Sequence, residues 1–241
     1  MRVIALDTTT RAGSVALVED DRVVDERDGD GARTHAERLP GEIMAMASVH
    51  GVKLSDVDLY AVASGPGSFT GLRIGIATIQ GLAFVNGRRI VAVPALEAMA
   101  ELGSVGLQPG TIIAGWMDAH RREVFAAIYR VTDAAPFSAG RLVEIEGPTV
   151  GDPLSTLARW RALIGAKPVV LVGDGAVMYA DVIAQAVPAA RVLVPPPLAG
   201  AIGRMAVARR AAAVTPADMR ALYVRRPDAE LDRERKARQQ P

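Results

Sequence analysis

The chain repeats its own plan, and that restricts the folds open to it. An apolar run, Val3–Leu6, ends at Asp7 in a polar turn. A second run, Ser14–Val18, turns at Asp20 and Asp21 into Arg22–Glu26, so three successive antiparallel strands open the molecule. After a helical stretch, Asp58–Ala63 runs into a glycine-rich loop at Gly65. Near the middle of the chain the order returns. Thr111–Ala114 leads to Asp118 and a polar turn, Glu123–Tyr129 follows, and Pro168–Val172 runs into Gly173 and Gly175. Asp7 to Gly65 is 58 positions and Asp118 to Gly173 is 55. Matched order and spacing predict a duplicated α/β fold with two lobes, mixed sheets and flanking helices. A single mixed sheet with coincidental echoes is the alternative.

The duplicated plan resembles the actin-like (ASKHA) group of sugar kinases and Hsp70-type ATPases. It places an N-terminal lobe at 1–103 and a C-terminal lobe at 104–241, with "GSVGLQPG" (103–110) as the linker. In the first lobe, Thr34 followed by Glu37 forms a capping-box pattern. The helix it opens carries Ile43, Met46, Ala47 and His50 at helical spacing, stops at Gly51, and is either kinked at Pro40 or begins there. A second helix spans about 70–85, closed by Asn86 and Gly87, and Pro94 opens a third through about Leu102. Residues 221–227 read as a short extended segment, and 228–241 as a charged, solvated tail.

Half of the 241 residues are hydrophobic but only 4% are aromatic, so the core is built from Ala, Val, Leu and Ile. A net charge of +1 gives no overall electrostatic footprint for nucleic acid, although 25 of the 28 basic residues are arginine. With no cysteine there is no disulfide or thiolate chemistry. The opening residues lack the apolar core of a signal peptide, and no run is long enough to span a bilayer, so a cytoplasmic protein without membrane contact is expected.

The glycine loop "SGPGSFTGLRIG" (64–75) suggests a phosphate cradle or a close helix contact. A dinucleotide fingerprint needs a sixth-position glycine where Thr70 stands. A Walker loop needs Lys and Ser or Thr where Leu72 and Arg73 follow Gly71. The alternative is geometric. At about 100° per residue, Gly71, Ile74, Gly75, Thr78, Leu82 and Val85 fall within about 60° of one line. Glycines four apart let another backbone come close, either within the chain or from a partner. Asp7 and Asp118 at strand ends are candidate nucleotide contacts, or turn residues that satisfy backbone amides. His35, on a helix turn in solvent, His50, near a helix end, and His120 form no short metal motif. No Gly-x-Ser-x-Gly elbow exists.

"ALDTTT", "SGPGSFTGLRIG", "DAHRREVFAAIY" and a closing "LYVRR" occur in this order over nearly the whole chain. Together they resemble the bacterial TsaB (YeaZ) family, departing at His120, where the family more often has Arg. The resemblance implies a role in making N6-threonylcarbamoyladenosine at position 37 of tRNAs reading codons that start with A. In that pathway the sister subunit TsaD transfers the threonylcarbamoyl group, TsaB is its non-catalytic dimerisation partner, and the ATPase TsaE joins them. The catalytic sister's metal-binding histidines correspond here to Ala95 and Met99, which bind no hard or borderline metal well.

The resemblance thus implies no metal and no cofactor on this chain alone, with ATP or ADP at the level of the complex and tRNA contacted only through it. It implies docking through the first two helices, with Ile43, Met46, Ala47, Gly71, Ile74, Gly75, Thr78 and Leu82 as interface. The same surface would serve a homodimer. The competing expectation is an independent ATP-dependent phosphotransferase or ATPase using Asp7 and Asp118. A metallopeptidase conflicts with the lack of a metal motif.

Overall fold

The computed structural model describes residues 1–165 and 167–225, so the charged tail expected at 228–241 lies outside the described residues. Strands β1 (Arg2–Asp7), β2 (Ser14–Glu19) and β3 (Arg22–Asp28) form an antiparallel meander. Strands β4 (Leu59–Gly65) and β5 (Arg89–Pro94) add in parallel beside β1, giving the order β3-β2-β1-β4-β5. The second sheet comprises β6 (Ile112–Asp118), β7 (Val124–Val131), β8 (Leu142–Gly151), β9 (Val169–Val172) and β10 (Arg191–Leu193). Its order, β10-β9-β6-β7-β8, is the first sheet's order with each strand replaced by its counterpart. Helices α1 (His35–Val49), α2 (Phe69–Val85) and α3 (Ala95–Gly103) follow β3, β4 and β5. Helices α4 (Pro153–Ile164), α5 (Asp174–Met178), α6 (Ala180–Ala186) and α7 (Ala199–Ala208) fill the corresponding places in the second half. This is the duplicated actin-like α/β fold.

Strand alternation sorts the core into three layers. Val3 and Ala5 of β1 face a central cluster that also holds Ile113 and Met117 of β6, whereas Ile4 and Leu6 face an outer cluster under α1 and α2. Ile112, Ala114 and Trp116 face the other outer cluster, with Trp160 of α4. Between the sheets the chain exchanges helices: α3 packs on β6, β7 and β9, while α7 packs on β1, β2 and β4. Alanine and glycine allow this. Gly203 of α7 lies where an added methyl would meet the Ala5 Cβ at 3.3 Å, and one at Gly115 of β6 would fall 2.5 Å from the Leu96 carbonyl oxygen. The sequence boundary at 103 and 104 therefore separates the sheets along the chain but not in packing. The segment after α7 also returns to the first lobe, where Val214 bridges Ile90 and Met219 enters the outer cluster.

The capping box at α1 is present: the Glu37 carboxylate accepts from the Thr34 N–H at 2.9 Å and the Thr34 hydroxyl at 2.7 Å. The helix begins at His35 and runs through Pro40.

Glu101 of α3 is buried at the junction of the halves and accepts from the Phe137 N–H at 3.2 Å. Burial pushes its carboxyl up to about 6. A raised acid favours its protonated folded form, so its stabilising protonation is complete at low pH and lost as pH rises from about 4.5 to 6. Glu101→Gln keeps an acceptor for Phe137 and removes the buried charge. It should raise stability at pH 7.5 by about 1–2 kcal/mol and remove that pH dependence, as read by denaturant melts at pH 5 and 7.5.

Candidate functional site

The glycine loop meets the first polar turn of the chain. Asp7 is only 1% exposed, and its Oδ1 accepts from the Thr9 N–H at 2.8 Å and the Thr9 hydroxyl at 2.5 Å. Its Oδ2 accepts from the Thr10 hydroxyl at 2.9 Å, so both carboxylate oxygens are engaged in building the turn. Onto that turn pack three glycines. A methyl at Gly67 would lie 2.6 Å from the Thr9 Cβ. One at Gly71 would fall on the Thr8 carbonyl oxygen, and one at Gly75 on the Thr8 hydroxyl. Ser68 caps α2 by accepting from the Gly71 N–H at 3.3 Å.

The second half repeats the arrangement. Asp118 accepts from the His120 N–H at 2.9 Å, and Gly175 leaves only 2.7 Å between a would-be methyl and the Asp118 nitrogen. Asp174 accepts from the Asp118 N–H at 3.1 Å and the Gly175 N–H at 2.8 Å, with burial holding its carboxyl above its ordinary value. Both aspartates thus occupy turn positions, and the close-approach glycines serve the chain's own packing.

Much of the expected interface is not open on the surface of the chain. Ile43 and Met46 are buried in the outer cluster, Ala47 is buried as well, and Gly71 and Gly75 are buried against Thr8. Ile74, Thr78 and Leu82 are half-buried, Ile74 and Leu82 against the cluster that holds Leu39, Ile43 and Met46. The outward face is centred about a quarter-turn away and keeps only Val85 of the expected line. On α1 it is Gly41, Met44, Ala45, Ser48 and Val49; on α2 it is Arg73, Ala77, Gly81, Phe84 and Val85.

Its apolar members are unusually bare for large side chains, with Met44 56%, Val49 69%, Phe84 78% and Val85 81% exposed. Gly41 and Gly81 have nothing within 4 Å of a would-be Cβ. A glycine inside a helix costs about 1 kcal/mol relative to alanine, and the chain's own packing does not require these two. The end of α2 is tied to β4 and the turn before it: Asn86 donates to the Tyr60 hydroxyl at 3.2 Å and Arg88 to the Ser55 carbonyl at 3.1 Å.

The histidines also find partners that their sequence neighbourhoods did not show. His35 is half-buried rather than in solvent, with Nδ1 2.7 Å from the Arg38 guanidinium, and burial holds the imidazole below its ordinary range. His50 caps α1 and lies 2.9 Å from Asp25. Ala95 and Met99 are fully buried in α3. Among the described residues no group of three or more His, Cys, Asp or Glu could hold a metal, and no helix is long and apolar enough to cross a membrane.

The segment read as extended at 221–227 forms no strand in its described part. It is a strap tied to both halves: the Leu222 N–H donates to the Ser64 carbonyl at 2.7 Å, and Arg225 donates to the Ala119 carbonyl at 2.7 Å and pairs with Glu123. Three of the four recognisable stretches thereby meet.

Duplicated sheets, close-packed glycine turns and an outward apolar helix pair define an actin-like α/β protein with an exposed apolar helix face. A family model described as TsaD, tRNA N6-adenosine threonylcarbamoyltransferase, matches residues 29–190. The Escherichia coli K12 tRNA threonylcarbamoyladenosine biosynthesis protein TsaB is 36% identical over 130 residues, 54% of this chain and 55% of that one. The Bacillus subtilis 168 TsaB is 29% identical over 185 residues, 76% and 75% of the two chains. A Pseudomonas aeruginosa structure described as similar to the peptidase YEAZ superposes with a TM-score of 0.75 at 28% identity, covering 93% of this chain and 99% of that one. The chain belongs to the TsaB (YeaZ) family. Its matched region spans about half the length of the first curated relatives.

Proposed function

We propose that this chain is the non-catalytic dimerisation subunit that holds TsaD in a state competent to transfer threonylcarbamoyl to A37 of tRNAs reading codons that start with A. The observation that carries this reading is the outward face of α1 and α2. Exposed Met44, Val49, Phe84 and Val85 supply apolar area, and Gly41 and Gly81 leave open space for a partner backbone. Facing helices with small residues at the crossing pack at close range, and the buried apolar area drives association. Half-buried Ile74 and Leu82 border this face where they pack on the outer cluster. The same face would carry a second copy of this chain when TsaD is absent, and TsaE would join the assembled pair. Any ATP or ADP belongs to the assembly, because Asp7 is already engaged by Thr9 and Thr10.

Co-expression with the TsaD of the same organism tests the pairing. A complex stable through size exclusion is expected, and separate elution at micromolar concentration would remove the basis of the proposal.

A further inference from the structure

The C-terminal strap assembles a second exposed surface, on the side where the halves meet. Of the ten aromatic residues, only Phe69, Phe84 and Tyr223 are exposed large side chains, and two of these are neighbours. The rings of Phe69 and Tyr223 lie 5.4 Å apart at 39°. The Arg73 guanidinium stacks 3.8 Å above Phe69 with its Nε 3.4 Å from the Tyr223 hydroxyl. A planar cation layered on an aromatic ring is a ready platform for an unpaired nucleobase.

Two residues further along the strap, no more than about 7 Å of extended chain, Arg225 grips the β6–β7 turn through Ala119 and Glu123. That turn is strained. His120, Arg121 and Arg122 are consecutive and left-handed, with φ of 58°, 54° and 63°, and all three are exposed. Left-handed backbone costs non-glycine residues roughly 1–2 kcal/mol each, and such strain gathers where side chains must be presented in a fixed way. Among the described residues, Glu123 pairs with Arg225, and Asp118 accepts from the His120 N–H at 2.9 Å. The exposed guanidinium groups of Arg73 and Arg122 therefore give the surface a local positive charge that the near-neutral total conceals.

We propose that Phe69, Arg73, Tyr223 and the His120–Arg122 turn form a contact for single-stranded RNA, in which bases stack on the Phe69–Arg73–Tyr223 layer and phosphates meet the turn. This chain would then touch the RNA directly, not only through its partner. The inference rests on the proposed role in tRNA modification.

The probe is a fluorescein-labelled, unmodified anticodon stem–loop RNA, titrated with the full chain and followed by anisotropy across a salt series. The expected result is salt-dependent binding that Arg73→Ala combined with Arg122→Ala weakens at least tenfold. The log–log salt slope should also flatten by roughly 1.4, two single-strand phosphate contacts at about 0.7 each. Tyr223→Leu, which keeps an apolar group on Phe69, should weaken binding severalfold without changing the slope, as loss of stacking requires. Gly81→Arg, eight residues or about 12 Å along α2 from Arg73, should leave RNA binding unchanged, so failure of the docking proposal and failure of this one are separable. Absence of binding by the wild-type chain, or equal binding by the double variant, would overturn the inference. So would a double variant that loses TsaD but keeps RNA, because the surface would then be a protein contact.

Discussion

Gly81→Arg should break association with TsaD while making the isolated chain slightly more stable. A side chain at Gly81 meets no neighbour within 4 Å, so the substitution brings no clash. Replacing a mid-helix glycine with a good helix former contributes about 0.5–1 kcal/mol. That corresponds to a rise of roughly 1–4 °C in melting temperature for a chain of this size. In the complex, the long charged group would occupy the space left for the partner's backbone and be stripped of water there. A loss of at least 2–3 kcal/mol is expected, or roughly 30- to 150-fold in Kd by titration calorimetry. A less stable chain with full affinity would mean that Gly81 faces inward and that α2 does not dock by this face.

The inward glycines of the same helix should behave in the opposite way. Gly71→Ala puts a methyl on the backbone oxygen of Thr8, which cannot rotate away as a side chain could. The gain in helix propensity is about 1 kcal/mol, but separating α2 from the first turn disturbs the Asp7–Thr10 hydrogen bonds and the packing of Leu72 and Ile76. A net loss of about 2–3 kcal/mol, read as a melting temperature lower by roughly 5–10 °C, is expected. Gly75→Arg falls in this class too. It drives a long side chain into Thr8, so lost pairing in that variant would report an unfolded lobe, not a blocked interface. One helix thus offers glycine substitutions of opposite sign, separated by which face they occupy.

That the sequence grouped Gly71, Ile74, Gly75, Thr78, Leu82 and Val85 on one line, most of which the structure turns inward, is a matter of geometry. A helical wheel gives the angles between residues but not which angle points at the sheet. A polar stripe normally supplies that direction, and α2 is apolar almost all round. The marker available was Arg73: stepping four residues from it gives Ala77, Gly81 and Val85, the line the structure turns outward. Strands were easier, since β1, β2, β4, β6 and β7 are short apolar runs bounded by turn residues, and the recurrence from Asp7 to Asp118 revealed the duplication. Helix α7 is hard to see in the sequence because it is short and buried nearly throughout. The strap escaped for another reason: the contact of Arg73 with Tyr223 joins residues 150 positions apart, and no local pattern encodes it. The exchange of α3 and α7 between sheets was likewise invisible, because burial in Ala-rich surroundings does not say which half supplies them.

In the proposed role this chain contributes by docking and not by its own chemistry. The most direct measurement is threonylcarbamoyl transfer to unmodified tRNA, with threonylcarbamoyl-adenylate as donor and TsaE and ATP present. It compares this chain alone, TsaD alone, the two together, and TsaD with the Gly81→Arg chain. Modified A37 is expected only when both wild-type subunits are present, with the Gly81→Arg mixture near the level of TsaD alone. Transfer by this chain without TsaD, or full activity with the Gly81→Arg chain, would contradict it.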